Sequence, residues 1–287
     1  MIEEKLKHIG DNTSIQTKTP VSGGDINQAY YIQTGKQAYF IKVNRQAESG
    51  FFQVEANGLE RIRSTQTIAV PEVYYFDQSS GDQEMTLIME WIQGEKTATT
   101  EQQLGEQLAS MHAAGGSGQY GLDQSTYVGK LHQPNGWYTD WADYFRECRL
   151  QPQFDIAVQL NRMNQNRRMK LEKLMDNLDK YLPKQPQVSL LHGDLWGGNW
   201  IAGQAGKPYL IDPSILYGDH LFELSFTEVF GGFSNTFYSQ YQNVFPLEDY
   251  YEEIKPIYQL FYLLVHLNMF GEVYGGSVDR ILKRYTS

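Results

Sequence analysis

The chain has 287 residues, 24 basic against 34 acidic, and a formal net charge of −10. It is long enough for one large domain or two lobes with a real core, and an acidic balance without a basic stripe argues against nucleic-acid or anionic-membrane binding. The one cysteine, Cys148, excludes an intrachain disulfide framework. The first eight residues lack the apolar core of a signal peptide and no apolar run reaches membrane length, so a cytoplasmic protein is expected.

In chain order, residues 1–93 read as strand-rich with one or two helices. Two β-rich runs, 29–33 and 38–43, flank the turn signal Thr34-Gly-Lys-Gln37 and predict a hairpin. Residues 49–63 carry a mixed apolar stripe and predict a helix. Strands follow at 74–77 and 85–91 across a polar loop, and Ile92-Gln-Gly94 is a candidate hinge. Beyond it the spacing predicts helices over 102–114, 137–150 and 154–181, with a Gly-rich connector at 115–121. A short strand over 188–191 enters the segment at His192. Two more, 200–202 and 208–211, pair around residues 203–207, and a mostly helical tail over 221–285 is interrupted by Gly231-Gly232 and Pro246. The pattern is α+β: a sheet-rich lobe over 1–93, a larger helical lobe over 94–287, and a cleft between them.

The densest chemistry lies in His192-Gly-Asp-Leu-Trp-Gly-Gly-Asn-Trp200 and Leu210-Ile-Asp-Pro213, which separate Asp194, Asn199 and Asp212 by five and thirteen residues. Protein kinases space a catalytic Asp, a metal-binding Asn and a second metal-binding Asp in this way. Phosphoryl transfer needs a carboxylate near the acceptor hydroxyl and oxygen ligands holding Mg²⁺ on the phosphates. Asp194 is accordingly the candidate base, with Asn199 and Asp212 as metal ligands. Taken alone, the same residues also fit a structural turn and a strand end.

Other parts of the chain supply partners. Lys42 ends a strand after the Gly-rich turn Val21-Ser-Gly-Gly-Asp-Ile-Asn27, whose backbone N–H groups could approach phosphates. Glu55, thirteen residues beyond Lys42 in the predicted helix, is its natural ion-pair partner, with Glu60 in reserve. His192 reads as a brace for the loop. Trp196, between base and metal ligand, offers an aromatic face to a sugar. The six histidines lack metal-ligand spacing and GxSxG is absent, so zinc hydrolase and α/β-hydrolase chemistry have no support.

With these residues in place, the chain resembles the fructosamine kinase (ketosamine-3-kinase) family, within the protein-kinase-like phosphotransferases that include aminoglycoside and choline kinases. The similarity runs nearly end to end. It is carried by HGDLWGGN at 192–199, QPNGW at 133–137, RLQPQ at 149–153, IDPSILYGD at 211–219, TEVFGGF at 227–233 and the tail from Tyr262 to Gly271. The resemblance implies a bilobal kinase-like fold and ATP-dependent, Mg²⁺-dependent phosphorylation of a ketosamine at its 3-hydroxyl. The substrate would be free or protein-linked, and the unstable product would release the amine. By matching positions, Ser22, Gly23, Gly24, Asp25, Ile26 and Asn27 cover the phosphates, and Lys42 pairs with Glu55. Glu90, Trp91 and Ile92 at the hinge also belong to the nucleotide site, and Trp196, Asp219 and His266 to the acceptor.

The chain departs from the family pattern in places. Asp25 stands where many members carry Cys, so no thiol switch is expected there. The stretch after Asp219 reads His-Leu-Phe-Glu where Arg and Asp are favoured, and Val265 stands where Asn is common. These changes leave the acceptor less determined than the reaction type. Two alternatives remain. One is a kinase of another small hydroxylated amine, with Trp137, Trp141 and Trp196 as a cage for a quaternary nitrogen. The other is a non-catalytic nucleotide-binding protein on the same fold.

Overall fold

A computed structural model describes residues 2–22, 27–45, 48–78, 84–116 and 118–286. They fall into two units, residues 1–104 with 199–213, and residues 105–198 with 214–287.

The first unit is built on five antiparallel strands, β1 (Ile15–Val21), β2 (Gln28–Thr34), β3 (Ala38–Asn44), β4 (Val73–Phe76) and β5 (Met85–Glu90), in the order β1-β2-β3-β5-β4. The expected hairpin is β2–β3, in a register that pairs Ala29 with Lys42 and Tyr31 with Phe40. Alternation along β3 sends Tyr39, Ile41 and Val43 into a core with Ile32, Ile88 and Leu6 of helix α1 (Ile2–His8). Lys42 therefore projects from the other face, where helix α2 (Phe51–Ser64) buries Phe52, Ala56, Leu59 and Ile62. Neither α1 nor β1 was legible in the sequence. The helix has only seven residues, and β1 is polar with Pro20 inside it, a composition tolerated because an edge strand needs its partners on one side only.

Asp11 ties these elements together. Buried after α1, it accepts hydrogen bonds from the hydroxyls of Thr13 at 2.6 Å, Thr34 at 2.5 Å and Tyr39 at 3.0 Å. Burial works to raise its pKa, but the bonds from Thr13, Thr34 and Tyr39 outweigh it and hold the carboxyl at about 2. A depressed folded-state pKa stabilises above the unfolded value, and the contribution is lost as pH falls through the folded value. We expect about 2 kcal/mol from this carboxylate at neutral pH, lost as the pH drops from about 4 to about 2. Denaturant melts across that range should show a shallower acid loss in Asp11→Asn; equal slopes would remove Asp11 from the account.

The hairpin Trp200–Ala202/Pro208–Leu210 belongs to this first unit. Tyr209 bridges Ala69, and the Leu210 N–H donates to the Ala69 carbonyl at 2.9 Å. Gly94 lies so close to the hairpin turn that a Cβ there would stand 1.9 Å from the Gly203 carbonyl oxygen. Thr100 Oγ1 donates to the Gly206 carbonyl at 2.8 Å. The expected lobe boundary at 93–94 did not foresee that residues 199–213 pack with the first unit.

The second unit takes in most of α3 (Thr100–Ala113) and, among the described residues, the remaining α-helices. The helix expected at 137–150 starts later. Trp137–Tyr138 form a short strand against Tyr120–Gly121. Asp140 then caps α4 (Trp141–Phe145) by accepting from the Asp143 N–H, and a π-helical turn, Arg146–Leu150, leads into α5 (Gln151–Gln159). The single helix expected at 154–181 breaks after α5. Asn161 has φ +55° and Asn164 caps α6 (Gln165–Met175); both asparagines suit such a break. A four-stranded sheet, Val188–Leu191, Leu216–Asp219, Tyr120–Gly121 and Trp137–Tyr138, was foreseen only in its first strand. The tail is helical as expected, with α7 (His220–Thr227), α8 (Asn235–Val244), α9 (Tyr251–Phe270) and α10 (Gly275–Thr286); two of its breaks contain Gly231-Gly232 and Pro246, and a third, unexpected one follows Gly271, whose φ is +95°. Every residue of α7 is buried, polar ones included. Among the described residues no helix is long and apolar enough to cross a membrane.

Candidate active site

In the first unit the Lys42 ammonium sits between two carboxylates, 2.7 Å from Glu55 Oε1 and 2.5 Å from Asp212 Oδ1. Burial works against its charge, yet Asp212 and Glu55 outweigh that and lift its pKa above the ordinary lysine value. Burial also raises the pKa of Glu55, against the pull of Lys42 and with help from Asp212. The difference between the two acids is exposure: the side chain of Glu55 is 12% exposed and that of Asp212 is 44% exposed. Glu60 contacts Arg63 at 3.4 Å, so Glu55 is the partner of Lys42.

The same hairpin brings Asn199 alongside Asp212. Trp200 pairs with Leu210, and the Ile211 N–H donates to the Asn199 carbonyl at 3.0 Å, one residue before Asp212. Asp212 itself has φ +56°, a left-handed conformation uncommon outside glycine and tolerated by Asp. An amide oxygen and a carboxylate are hard oxygen donors. Among the described residues no three His, Cys, Asp or Glu side chains converge on a metal position. A small donor set of this kind suits Mg²⁺, which is usually held by one or two carboxylates together with substrate phosphates.

The segment 192–198, expected to be the catalytic loop, belongs to the second unit. It is held from several directions. The Ser214 N–H donates to the His192 carbonyl at 2.8 Å, and Gln133 Nε2 donates to Ser214 Oγ at 2.8 Å. The Asp194 N–H donates to His192 Nδ1 at 3.3 Å, so the buried histidine braces the loop. Glu223 of α7 accepts from the His192 N–H at 3.2 Å and the Gly193 N–H at 2.6 Å. Tyr262 of α9 donates to the Gly193 carbonyl at 3.2 Å. Gly193 has φ +82°, and a Cβ there would stand 2.0 Å from the Ser214 carbonyl oxygen. Gly193→Ala should therefore destabilise by at least about 1–2 kcal/mol from backbone handedness alone and impair turnover with it; an unchanged melting temperature would contradict this geometry.

The remaining expected site residues divide. Gly23, Gly24, Asp25 and Ile26 lie outside the described residues. Ser22 follows β1, and Asn27 accepts from Asn44 Nδ2 at 2.8 Å. Glu90 closes β5, its N–H donating to the Glu72 carbonyl at 2.8 Å. Trp91 meets Tyr31 edge-on at 4.8 Å, and Ile92 lies beside the Gly203 turn. In the second unit Trp196 is 40% exposed, and its ring covers Gly198, where a Cβ would stand 2.3 Å away. His266 is half-buried, its Nδ1 2.8 Å from the Tyr262 carbonyl, with Phe230 at 4.5 Å between ring centroids.

Two expectations need correction. Asp219 is fully buried, accepting from the Leu221 N–H at 3.0 Å and Tyr258 Oη at 2.6 Å. It caps α7 and has no face open to an acceptor. Trp141 is also fully buried, donating to Tyr258 Oη at 2.7 Å, so it cannot join Trp137 and Trp196 in a cage for a quaternary amine. Glu223, Tyr262 and Gln133, which position the loop, were not singled out individually. The QPNGW motif was the sequence signal for Gln133.

A sequence model of the fructosamine kinase family matches residues 1–287. A probable ketoamine kinase of Enterococcus faecium is 39% identical over 267 residues, covering 93% of this chain and 94% of that protein. One from Synechocystis is 37% identical over 276 residues, covering 96% and 92%. Among solved structures, a candidate fructosamine-3-kinase from Haemophilus somnus superposes with a TM-score of 0.88 at 29% identity, over 99% of this chain and 96% of that one. Aminoglycoside phosphotransferase APH(4)-Ia, in a ternary complex with AMP-PNP and hygromycin B, superposes with a TM-score of 0.67 at 18% identity, over 98% of each chain. That likeness extends to the kinase-like fold.

Proposed function

This chain belongs to the fructosamine kinase family and is an ATP-dependent kinase, and from that premise we propose that it transfers the γ-phosphoryl group of ATP to the 3-hydroxyl of a ketosamine. The observation that carries this reading is Lys42, buried and paired with both Glu55 and Asp212, while Asn199 is hydrogen-bonded beside Asp212. Protein kinases use such a set, a Lys–Glu ion pair beside an Asp and an Asn that hold the metal.

In the reaction the acceptor hydroxyl oxygen forms a bond to Pγ as the bond from Pγ to the bridging oxygen of ADP breaks. Asp194 orients that hydroxyl and takes its proton late in transfer. Lys42 binds the α- and β-phosphates, held in place by Glu55. Asn199 and Asp212 would hold Mg²⁺, whose chemistry is to neutralise charge on the phosphates. Ser22 and Asn27 flank the segment that the family resemblance assigns to the phosphates, and Glu90, Trp91 and Ile92 receive the base. Trp196 and His266 are the residues retained for the acceptor. Phosphorylation makes the ketosamine adduct unstable and frees the amine, a repair role for glycated amines or proteins.

The test is initial rates with Mg·ATP and the erythrulosamine, ribulosamine and fructosamine adducts of lysine, with the phosphorylated position mapped by NMR. Phosphate at the 3-hydroxyl of any of them supports the reading. Turnover confined to aminoglycosides or choline, or phosphate at another hydroxyl, overturns it.

A further inference from the structure

Behind the catalytic loop runs a buried chain of polar side chains that the reaction as described does not use. Glu223, which grips the His192 and Gly193 N–H groups, also meets His112 Nε2 at 2.8 Å. His112 Nδ1 meets Tyr241 Oη at 2.7 Å. The same hydroxyl meets His220 Nδ1 at 2.9 Å, and His220 Nε2 meets Glu248 Oε2 at 3.1 Å. Glu223, His112 and His220 are fully buried, and only Glu248, 33% exposed, reaches solvent.

Counting hydrogens fixes the protonation of this chain. Four contacts separate the Glu223 carboxylate from the Glu248 carboxylate, and each needs one hydrogen. Two neutral imidazoles supply one each, and the phenol supplies one. Three hydrogens cannot fill four contacts, so the chain must hold one more. Burial works to raise the pKa of Glu223, but its bonds to His112 and to the loop outweigh this and hold it below the ordinary value. The bond from His220 holds Glu248 low as well. Burial raises the Tyr241 pKa well above its usual value, so the phenol keeps its proton. Burial works to lower the His112 pKa and outweighs the pull of Glu223, yet with both carboxylates ionised and the phenol intact the hydrogen count leaves the histidine pair as the one place in the chain for the additional proton. It gives the buried Glu223 carboxylate a counter-charge inside the same network, without which a buried anion is costly.

We propose that His112, Tyr241, His220 and Glu248 are positioning residues that act through Glu223, forming a hydrogen-bonded chain that carries one imidazolium and holds the catalytic loop. The kinetic part of this proposal rests on the kinase reading of that loop; the protonation part does not. Among the described residues, the groups named here as facing the pair lie within the second unit. Tyr241 of α8 faces both imidazoles. Glu223 of α7 faces His112, and Glu248, before α9, faces His220. Asp219 adjoins His220 in sequence and is itself bonded to Tyr258 and the Leu221 N–H; Tyr250 feels both Asp219 and Glu248. The Phe245 ring stacks on His220 at 4.1 Å and adds no charge. When the proton leaves at higher pH, one of the four contacts loses its hydrogen and the grip on His192 and Gly193 loosens. Because the sites are coupled, the titration belongs to the pair.

Tyr241→Phe cuts the chain into two halves, Glu223 with His112 and His220 with Glu248. Each half then needs only the hydrogen a neutral imidazole supplies. The experiment is a pH titration of ¹⁵N-histidine-labelled full-length protein by NMR, with kcat followed over the same range. The wild type should show one buried imidazolium with both ring nitrogens protonated. Its midpoint should coincide with an alkaline loss of kcat and fall by about one pH unit or more in Tyr241→Phe. Glu248→Gln, at the half-exposed end where folding is least at risk, should lower the midpoint in the same direction. In Tyr241→Phe kcat should drop about tenfold with the KM for ATP within about twofold, since positioning acts on the transition state. Two neutral buried imidazoles in the wild type, or a midpoint unmoved in both variants, would overturn the chain. If no ketosamine were phosphorylated, the functional reading would fail while the NMR titration still decided the protonation.

Discussion

Asp194→Asn should lower kcat by about 10²–10⁴-fold, the range of a positioned general base, with little change in the KM for ATP. The substitution preserves shape and an acceptor oxygen but removes the ability to take a proton. The loop should keep its place, because several bonds hold it through groups other than the Asp194 carboxylate. They run from Ser214 to His192, from His192 and Gly193 to Glu223, and from Tyr262 to Gly193. The Asp194 N–H bond to His192 Nδ1 is a backbone bond and survives the change. Initial-rate kinetics with a melting curve separate the two effects. Turnover near that of the wild type would remove Asp194 from the role of base.

Lys42→Met should be nearly as damaging, about 10²–10³-fold in kcat, the usual consequence of losing one preorganised electrostatic contact to developing charge, together with a raised KM for ATP. Methionine fills much of the same volume, so the sheet register between β3 and β5 stays intact while the ammonium is lost. What remains is Glu55, buried and without its cation, close to Asp212. Burial and the Asp212 charge, which already raise the Glu55 pKa against the opposing pull of Lys42, then act unopposed. Glu55 becomes a neutral acid at a higher pH than in the parent. Glu55→Gln should be milder, because Lys42 keeps Asp212 as a partner. Equal ATP affinity in Lys42→Met and wild type would place the nucleotide phosphates elsewhere.

Much of the chemistry was legible because it is local. Asn199 and Asp212 lie on one tight hairpin, so their spacing alone brings them side by side, and the bond from Ile211 to Asn199 realises it. Lys42 and Glu55 were legible for a similar reason: a strand followed by a helix sets the distance between them, and strand alternation sets which face Lys42 takes. The Gly-rich turn was a weak signal by itself, given a phosphate-covering role only by the resemblance, and residues 23–26 lie outside what the structure describes.

Long-range features were not legible. Strands of two residues, such as Tyr120–Gly121 and Trp137–Tyr138, have no period to detect and exist only because each finds the other. Asp219 and Trp141 look like site residues by type, and only packing reveals that both are enclosed around Tyr258. The grip of Glu223 on the catalytic loop likewise depends on α7 passing behind residues some thirty positions earlier in the chain.

The amino-acid sequence by itself determined the family and the kinase chemistry and singled out the candidate reacting groups, because transferring a phosphoryl group demands particular side chains at short, fixed separations. Only the tertiary structure decided which of those candidates are enclosed, that residues 199–213 pack with the first unit, and how the catalytic loop is held. Those outcomes come from burying polar groups, each of which must find a partner wherever the fold brings one, and neither composition nor spacing encodes where that will be.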